Sequence, residues 1–188
     1  MNTVIIAGSI VGSKTKTAME KVAKMFEQKY PEHDVKLLDL AKYNLEFSDG
    51  RNYFDYEGDT KFVTETIMHA DALIIGTPVF QASIPGTLKN IFDLLPVNAL
   101  RDKVVSIIVT AGTSRHYLMV EQHLKPILAY MKAHIVPTYV YIEEQDFIRE
   151  EIINDDIVFR MERLIQDTVL TVEAFAELRA KKDAEYGF

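Results

Sequence analysis

The sequence predicts an α/β fold in which a parallel β-sheet is covered by helices on both faces. Short apolar runs rich in Val, Ile and Leu alternate with longer amphipathic segments along the whole chain. The short runs are almost continuously hydrophobic, which is typical of strands that are buried on both faces. At 188 residues, the chain is most economically one domain, spanning 1–188.

The elements alternate regularly. Strands are predicted over residues 4–7, 35–40, 72–76, 104–109 and 135–142. Amphipathic helices are predicted through about residue 30, and over 59–69, 83–95, 114–133 and 155–182. Five such strands suit a flavodoxin-like three-layer sandwich, with a five-stranded parallel sheet in the order 2-1-3-4-5. In that order, the ligand crevice lies between the carboxyl ends of strands 1 and 3.

Composition limits the classes of function. The formal net charge of −7 argues against a nucleic-acid or anionic-membrane surface, because both need clustered positive charge. The chain has no cysteine, which excludes disulfides, thiolate metal sites and cysteine nucleophiles. No run approaches the roughly 18 apolar residues of a membrane helix, and the N-terminal apolar run is too short for a signal peptide. We therefore expect a cytoplasmic protein.

The segment from Thr77 to Leu95 is the most informative part of the chain. Its apolar residues recur at helical spacing from Leu88 onward, which predicts a helix with one face in the core. Ser83 is expected at the capping position of this helix, with Pro85 just inside. This leaves 77–82 as a loop at the carboxyl end of strand 3, where open α/β sheets bind their ligands.

The loop after strand 1, Gly8–Thr15, combines glycines with hydroxyl side chains. Small residues let backbone N–H groups approach a phosphate, and the N-terminus of the following helix adds positive potential. The loop also comes within one residue of a Walker A motif, but Ser13 stands where that motif has a glycine before its lysine. The acidic residue expected after a later strand is missing too, so a P-loop nucleotidase is the weaker interpretation.

A third small, hydroxyl-rich loop, Thr110–Ser114, follows strand 4. The three loops converge on one crevice in the predicted strand order. None of them supplies a catalytic triad, a carboxylate pair or a metal cluster. A phosphate cradle beside a flat ledge of Pro78, Val79 and Phe80 therefore suits a cofactor that brings its own chemistry.

These motifs resemble the NADPH-dependent FMN reductase family, which has the flavodoxin-like fold. The similarity covers nearly the whole chain, and the segment Leu124–Leu128 further resembles the reductases that supply reduced flavin to sulfonate monooxygenases. The chain matches the family pattern at Gly8-Ser9, at Thr77–Phe80, at Pro85–Asn90 with Asp93, and at Thr110–Thr113.

The resemblance implies FMN and NADPH (or NADH) as cofactors, with no catalytic side chain and no metal. By position, it assigns the FMN phosphate to Ser9, Ser13, Thr15 and Thr17. It places Pro78, Val79 and Phe80 along the isoalloxazine and ribityl chain, and Gly112 and Thr113 near the pyrimidine end. The implied set of cofactor-binding residues also includes Lys14, Gln81, Ser83 and Thr110.

Two positions depart from the family pattern. Many members have an arginine where this chain has Val11; Lys14 or Lys16 could replace its charge but not its bidentate geometry. In helix 4, Pro126 lacks an N–H and its ring clashes with the carbonyl of Gln122, which predicts a π-bulge there. The sulfonate-linked reductases have a tyrosine at this point that helps them treat flavin as a substrate. Gln122 cannot stack in the same way, so the sequence leaves open whether FMN is retained or exchanged.

Other positions have less distinct roles. The connection 42–58 carries five aromatic rings, which either rest on the core or form a subunit contact or an active-site wall. His116 and His123 are seven apart on one face of the predicted helix, a spacing that favours a solvated or subunit-facing role over metal binding. Arg115 is either a ligand of the NADPH phosphate or an ordinary surface residue. The acidic run of Asp55, Glu57 and Asp59 is expected to be solvated.

The expected function is an NAD(P)H-dependent FMN reductase, in which hydride passes from the nicotinamide to flavin N5 over the Val79–Phe80 ledge. The onward acceptor stays open among free flavin, a partner monooxygenase, a quinone, an azo compound and oxygen. A homodimer or homotetramer is expected, without nucleic-acid or membrane partners. The alternative is a non-enzymatic electron carrier of the flavodoxin type.

Overall fold

A parallel β-sheet forms the middle layer of the computed structural model, which describes residues 1–186. The last two residues of the expected 1–188 domain lie outside this range. The sheet contains β1 (Asn2–Ala7), β2 (Asp34–Asp39), β3 (Ala72–Pro78), β4 (Val104–Ala111), β5 (His134–Ile135) and β6 (Val140–Glu143). The order β2-β1-β3-β4-β5, with every pair parallel, confirms the predicted topology.

The position of the predicted fifth strand, 135–142, is occupied by two short strands. Both β5 and β6 pair with β4, the first at Val104 and Val105 and the second from Ile108 to Ala111. Pro137 lies between them and has no N–H to donate to a ladder, so the single predicted strand is wrong at this point. The chain then forms a small antiparallel hairpin of β7 (Phe147–Ile148) and β8 (Glu151–Ile152), which the sequence pattern does not predict.

Helices cover both faces of the sheet and give the predicted three layers. One core cluster joins the sheet to α1 and α5, and the other joins it to α2, α3 and α4. Within the described range, no helix is both long and apolar enough to cross a membrane. The helices are α1 (Lys14–Lys29), α2 (Gly58–Met68), α3 (Gly86–Leu94), α4 (Lys125–Tyr130) and α5 (Asp155–Tyr186).

The predicted fourth helix, 114–133, is not one regular helix. It consists of a 3₁₀ turn at Ser114–His116, a π-helical segment at Val120–Leu124 and then α4. The Lys125 N–H donates to the carbonyl of Val120, five residues back, immediately before Pro126. The predicted π-bulge at Gln122 is therefore confirmed. His116 lies in the 3₁₀ turn and His123 in the π-helical segment, so the single regular helix on which both were expected is not present, and both residues are exposed.

The long connection between β2 and α2 uses its aromatic rings in two ways. Tyr56 is fully buried and Tyr43 packs against the core, whereas Phe47 and Phe54 are exposed. The connection is fixed by Asn90 of α3, whose Nδ2 donates to the carbonyl of Glu46 at 2.9 Å. The core-packing role is therefore confirmed for Tyr56 and Tyr43, and a subunit contact or an active-site wall stays a prediction for the exposed rings. The acidic run of Asp55, Glu57 and Asp59 is exposed, as predicted.

Candidate active site

A cleft of about 360 Å³ opens at the carboxyl ends of β1, β3 and β4. Residues 11–15, 78–80 and 110–112 line it, together with Glu144. The three loops singled out in the sequence therefore meet at one place. A larger groove of about 640 Å³ lies between the π-helical segment and α5. That groove contains none of the predicted site residues, so the cleft is the candidate active site.

The first loop is shaped by its own hydroxyl groups. The Ser9 Oγ donates to the carbonyl of Val11 at 2.7 Å and accepts from the Val11 N–H at 3.2 Å. Gly12 has a φ of +81°, in the left-handed region that glycine adopts readily. The Thr15 hydroxyl is buried and shares a 2.6 Å hydrogen bond with Thr110, which ties the first loop to the third.

The N-terminus of α1 faces this loop without a side-chain cap. Ser13 occupies the N-cap position, but its side chain accepts no hydrogen bond from the first turn. The first N–H groups of a helix have no partner inside the helix, and they form a ready site for an anion. Ser13 and Lys14 line the cleft, while Thr17, one turn along, does not.

The second loop continues from β3 and turns back sharply. Phe80 and Ser83 exchange two backbone hydrogen bonds of 2.9 Å, and Gln81 and Ala82 between them have φ values of +49° and +60°. This tight turn removes Ser83 from the predicted capping position, so α3 begins at Gly86 with Pro85 as its cap residue. The side-chain Oγ of Ser83 instead lies 3.2 Å from the Nδ1 of His123.

The ledge at the cleft consists of Pro78, Val79 and Phe80, as the sequence pattern implies. Pro78 is buried, Val79 is half-buried, and the Phe80 ring is 40% exposed. The Val79 N–H donates to the carbonyl of Thr110 at 3.2 Å, which ties the ledge to the third loop. The ledge therefore presents a fixed apolar surface that rises out of the sheet edge.

The third loop is held from behind by tyrosines of the β5–β6 region. The Tyr141 hydroxyl donates to the carbonyl of Thr113 at 2.8 Å, and the Tyr139 hydroxyl donates to the carbonyl of Tyr117 at 3.0 Å. Partial burial raises the pKa of both phenols above the usual value. Gly112 lines the cleft and has no neighbour where a Cβ would stand, so space remains open there.

The charges of the site belong to one ion pair. Lys14 contacts the carboxylate of Glu144, and both side chains line the cleft. Lys16 points elsewhere, with its Nζ 3.7 Å from the buried carboxylate of Asp39. Among the described residues, no group of three or more His, Asp or Glu side chains comes together to hold a metal ion. The arrangement combines an uncapped helix N-terminus and one cation with an apolar ledge, and the titratable side chains among the described residues that line it are Lys14 and Glu144.

The predicted site residues divide into two groups by position. Five lie off the lining of the cleft, and sequence reasoning missed Glu144, which lies on it. Glu144 follows the fifth strand at its carboxyl end, and that position beside strand 4 was the available signal. On the lining are Ser13, Lys14, Thr15, Pro78, Val79, Phe80, Thr110 and Gly112; off it are Ser9, Thr17, Gln81, Ser83 and Thr113.

Comparison with known proteins identifies the family. The model of the NADPH-dependent FMN reductases matches residues 1–146. An NAD(P)H-dependent FAD/FMN reductase of Geobacillus thermodenitrificans is 41% identical over 165 residues, which cover 87% of this chain and 89% of the relative. The NADH-dependent FMN reductase SfnF of Pseudomonas putida is 27% identical over 176 residues, covering 93% and 92%.

Solved structures show the same fold. The apo form of the NADH:FMN oxidoreductase EmoB superposes with a TM-score of 0.76 at 22% identity, covering 90% of this chain and 89% of the other. The family match spans most of the chain and includes all three loops of the cleft. The chain therefore belongs to the NADPH-dependent FMN reductase family of oxidoreductases.

Proposed function

We propose that the cleft between β1, β3 and β4 is the place where this NAD(P)H-dependent FMN reductase binds its flavin. The observation that carries the proposal is the meeting of an uncapped helix N-terminus, a cationic side chain and an apolar ledge in one cleft. When FMN is bound, it supplies the redox chemistry by accepting a hydride from the nicotinamide. The protein supplies binding and orientation.

The phosphate end of the site is proposed at the N-terminus of α1. Ser13, Lys14 and the free backbone N–H groups of the first turn would hold the phosphate there. Ser9 and Thr15 have their hydroxyl groups engaged within the protein, and we propose that they shape the loop around the phosphate. Thr17 would contribute from one turn further along α1.

The ring end of the site is proposed along the ledge. Val79 and Phe80 would pack along one face of the isoalloxazine, and Gly112 and Thr113 would lie near its pyrimidine edge. Gln81 and Ser83 hold the turn that presents Phe80. The exposed part of this ledge leaves one side of the site open, which supports stacking of a nicotinamide beside the flavin and hydride transfer over a short distance.

The acceptor of the electrons is proposed to be a partner protein. We propose that reduced flavin passes to a flavin-dependent monooxygenase, the acceptor that the Leu124–Leu128 resemblance implies; a quinone, an azo compound and oxygen are the other acceptors to assay.

The exposed side chains of Phe47, Val97 and Tyr130 support association into a homodimer or homotetramer. A single FMN-binding domain over 1–188 and a cytoplasmic location complete the proposal.

The proposed activity is tested with the purified protein. The oxidation of NADPH and NADH should accelerate when FMN is added. Bound flavin should absorb at about 450 nm. Replacing Lys14 with methionine should weaken FMN binding, whereas Lys61→Met on the exposed face of α2 should not. Absence of flavin binding and of nicotinamide oxidation would contradict the proposal. Bound flavin without nicotinamide turnover would instead indicate an electron carrier.

A further inference from the structure

We propose that Glu144 competes with the flavin phosphate for Lys14 and thereby lowers the affinity of the site for phosphorylated flavins. This inference rests on the FMN site proposed above. It assigns to Glu144 the role of a specificity-determining residue, which sets how strongly the enzyme favours FMN over riboflavin. It also gives a physical reason for FMN to leave the site readily, a question that the sequence leaves open.

The ion pair spans the two sides of the phosphate end. Lys14 is the first residue of α1, and Glu144 directly follows the end of β6. Among the described residues that line the cleft, these two carry the charges. Val11 adds none, and Lys16 is directed towards Asp39. A phosphate that enters the cleft therefore meets one cation, which is already paired with an anion.

The backbone that carries Glu144 is firmly positioned. The buried carboxylate of Asp146 accepts hydrogen bonds from the Glu143 N–H at 2.8 Å and from the Asn154 side chain at 2.7 Å. The carbonyl of Asp146 also accepts from the Ile153 N–H at 2.9 Å. These hydrogen bonds hold residues 143–146 as a corner in the chain and fix the main chain at Glu144. Only rotation of the Glu144 side chain can then move its carboxylate away from Lys14.

Lys14 is positioned as well. Its Nζ lies 5.7 Å from the centre of the Phe147 ring, which belongs to the hairpin that follows the same corner. A cation above an aromatic face is attracted by the ring quadrupole. Lys14 is therefore held on the side of the cleft where Glu144 lies, and its ammonium group must be shared or released when a phosphate binds.

The electrostatic consequence depends on the ligand. The phosphate of FMN is a monoester that carries about −1.5 to −2 charges near neutral pH, so a neighbouring carboxylate opposes its binding both by repulsion and by occupying the lysine. Riboflavin has no phosphate and does not need Lys14. The Glu144 charge should thus weaken FMN binding while leaving riboflavin binding unchanged.

The test compares Glu144→Gln with the parent protein. We expect the Kd for FMN, measured by quenching of flavin fluorescence, to fall about three- to fivefold at low salt, because both side chains of the pair are partly exposed to solvent. The Kd for riboflavin should change by less than about twofold. The gain for FMN should shrink as salt is added, because salt screens exposed charges. Glu150→Gln, in the exposed turn between β7 and β8, removes the same charge away from the cleft and should leave both affinities unchanged.

The outcomes separate this inference from the proposed site. If Lys14→Met fails to weaken FMN binding, the phosphate site itself is wrong. If Lys14→Met weakens FMN binding but Glu144→Gln does not strengthen it, only the competition is refuted. Equal gains for FMN and riboflavin would also refute it, since they would indicate a change in packing. Thermal unfolding of each variant checks that the fold is retained.

Discussion

Two non-glycine residues with left-handed backbone, Gln81 and Ala82, directly follow the ledge and show how local strain supports it. Their φ values of +49° and +60° suit a two-residue turn of the type that prefers Asn-Gly. A side chain in this region costs about 1 kcal/mol relative to glycine. The reciprocal hydrogen bonds between Phe80 and Ser83 hold the turn nevertheless. The Phe80 ring is thus fixed by backbone geometry next to the cleft.

Replacing this pair by the preferred turn residues should stabilise the protein. We expect the double substitution Gln81→Asn with Ala82→Gly to raise the free energy of unfolding in urea by about 1–2 kcal/mol, because both residues then adopt positive φ more easily. Ala174→Gly, at an exposed position of α5, should instead lower it by about 1 kcal/mol. A loss of stability in the turn variant would show that the turn is not strained.

A second prediction at this scale concerns the titration of Asp49. The Arg51 side chain donates to this carboxylate from Nε at 3.0 and 2.9 Å, and this contact lowers the pKa of Asp49 to about 2. A carboxyl whose pKa is depressed by folding stabilises the native state above its unfolded pKa, and this contribution is lost as the pH falls towards 2. In Arg51→Met, carbon NMR should show the pKa of Asp49 moving back up towards its ordinary value, while the hydrogen bonds from the backbone N–H of residue 51 and from the Tyr56 hydroxyl keep part of the depression. An unchanged titration would exclude Arg51 as the cause.

Among the elements, the segment β5–β6 acts as a support for the third loop. The Tyr141 hydroxyl reaches the carbonyl of Thr113, and Tyr139 reaches that of Tyr117. The ring of Tyr117 also packs against both, with centroid distances of 5.3 and 5.6 Å. These contacts hold the loop from Gly112 to Tyr117 at the ring end of the proposed flavin site.

Removing one hydroxyl should loosen this end of the site. In Tyr141→Phe, the carbonyl of Thr113 loses its donor, and such a bond contributes about 0.5–1.5 kcal/mol. We expect the Kd for FMN and for riboflavin to rise together, by about two- to tenfold, because the loss is at the ring end. Tyr30→Phe, at the end of α1 opposite to the cleft, serves as the control. If only FMN were affected, the hydroxyl would be acting on the phosphate end instead.

The elements also show what sequence reasoning can reach. The central strands were predictable because each is a nearly continuous apolar run, and their order because five strands alternating with helices suit the flavodoxin-like sheet. The three loops follow from where these strands end. The π-helical segment was predictable because the effect of Pro126 is local. Pro137 also lacks an N–H donor and interrupts the fifth strand, but the apolar residues on both sides of it led to the prediction of one continuous strand. The position of Glu144 after the fifth strand was a signal in the sequence, but its approach to Lys14 depends on the corner tied by Asp146 and Asn154, a contact between side chains that no periodicity reveals.

At the scale of the whole molecule, the cleft depends on how closely β1 and β3 approach beneath it. The Gly8 N–H donates to the carbonyl of Gly76 at 2.8 Å, directly after the last residue of β1. A Cβ on Gly8 would stand 2.7 Å from that carbonyl oxygen and 3.1 Å from the Leu88 side chain of α3. The sheet, α3 and the loop after β1 are therefore packed together at one point that has no room for a methyl group.

Gly8→Ala should accordingly disturb the fold and the site together. Because the closest atom belongs to the backbone of β3, it cannot move aside as a flexible side chain would, and we expect a loss of about 1–3 kcal/mol in the free energy of unfolding. The Kd for FMN should rise as well, since the strain would displace the start of the loop at which we propose that the phosphate binds. Gly86→Ala is the matched control: its Cβ would meet nothing within 4 Å, and the first turn of α3 should tolerate it or gain up to about 1 kcal/mol. Equal urea midpoints for the two variants would mean that β1 and β3 can separate at little cost, and that their close approach does not hold the cleft in shape.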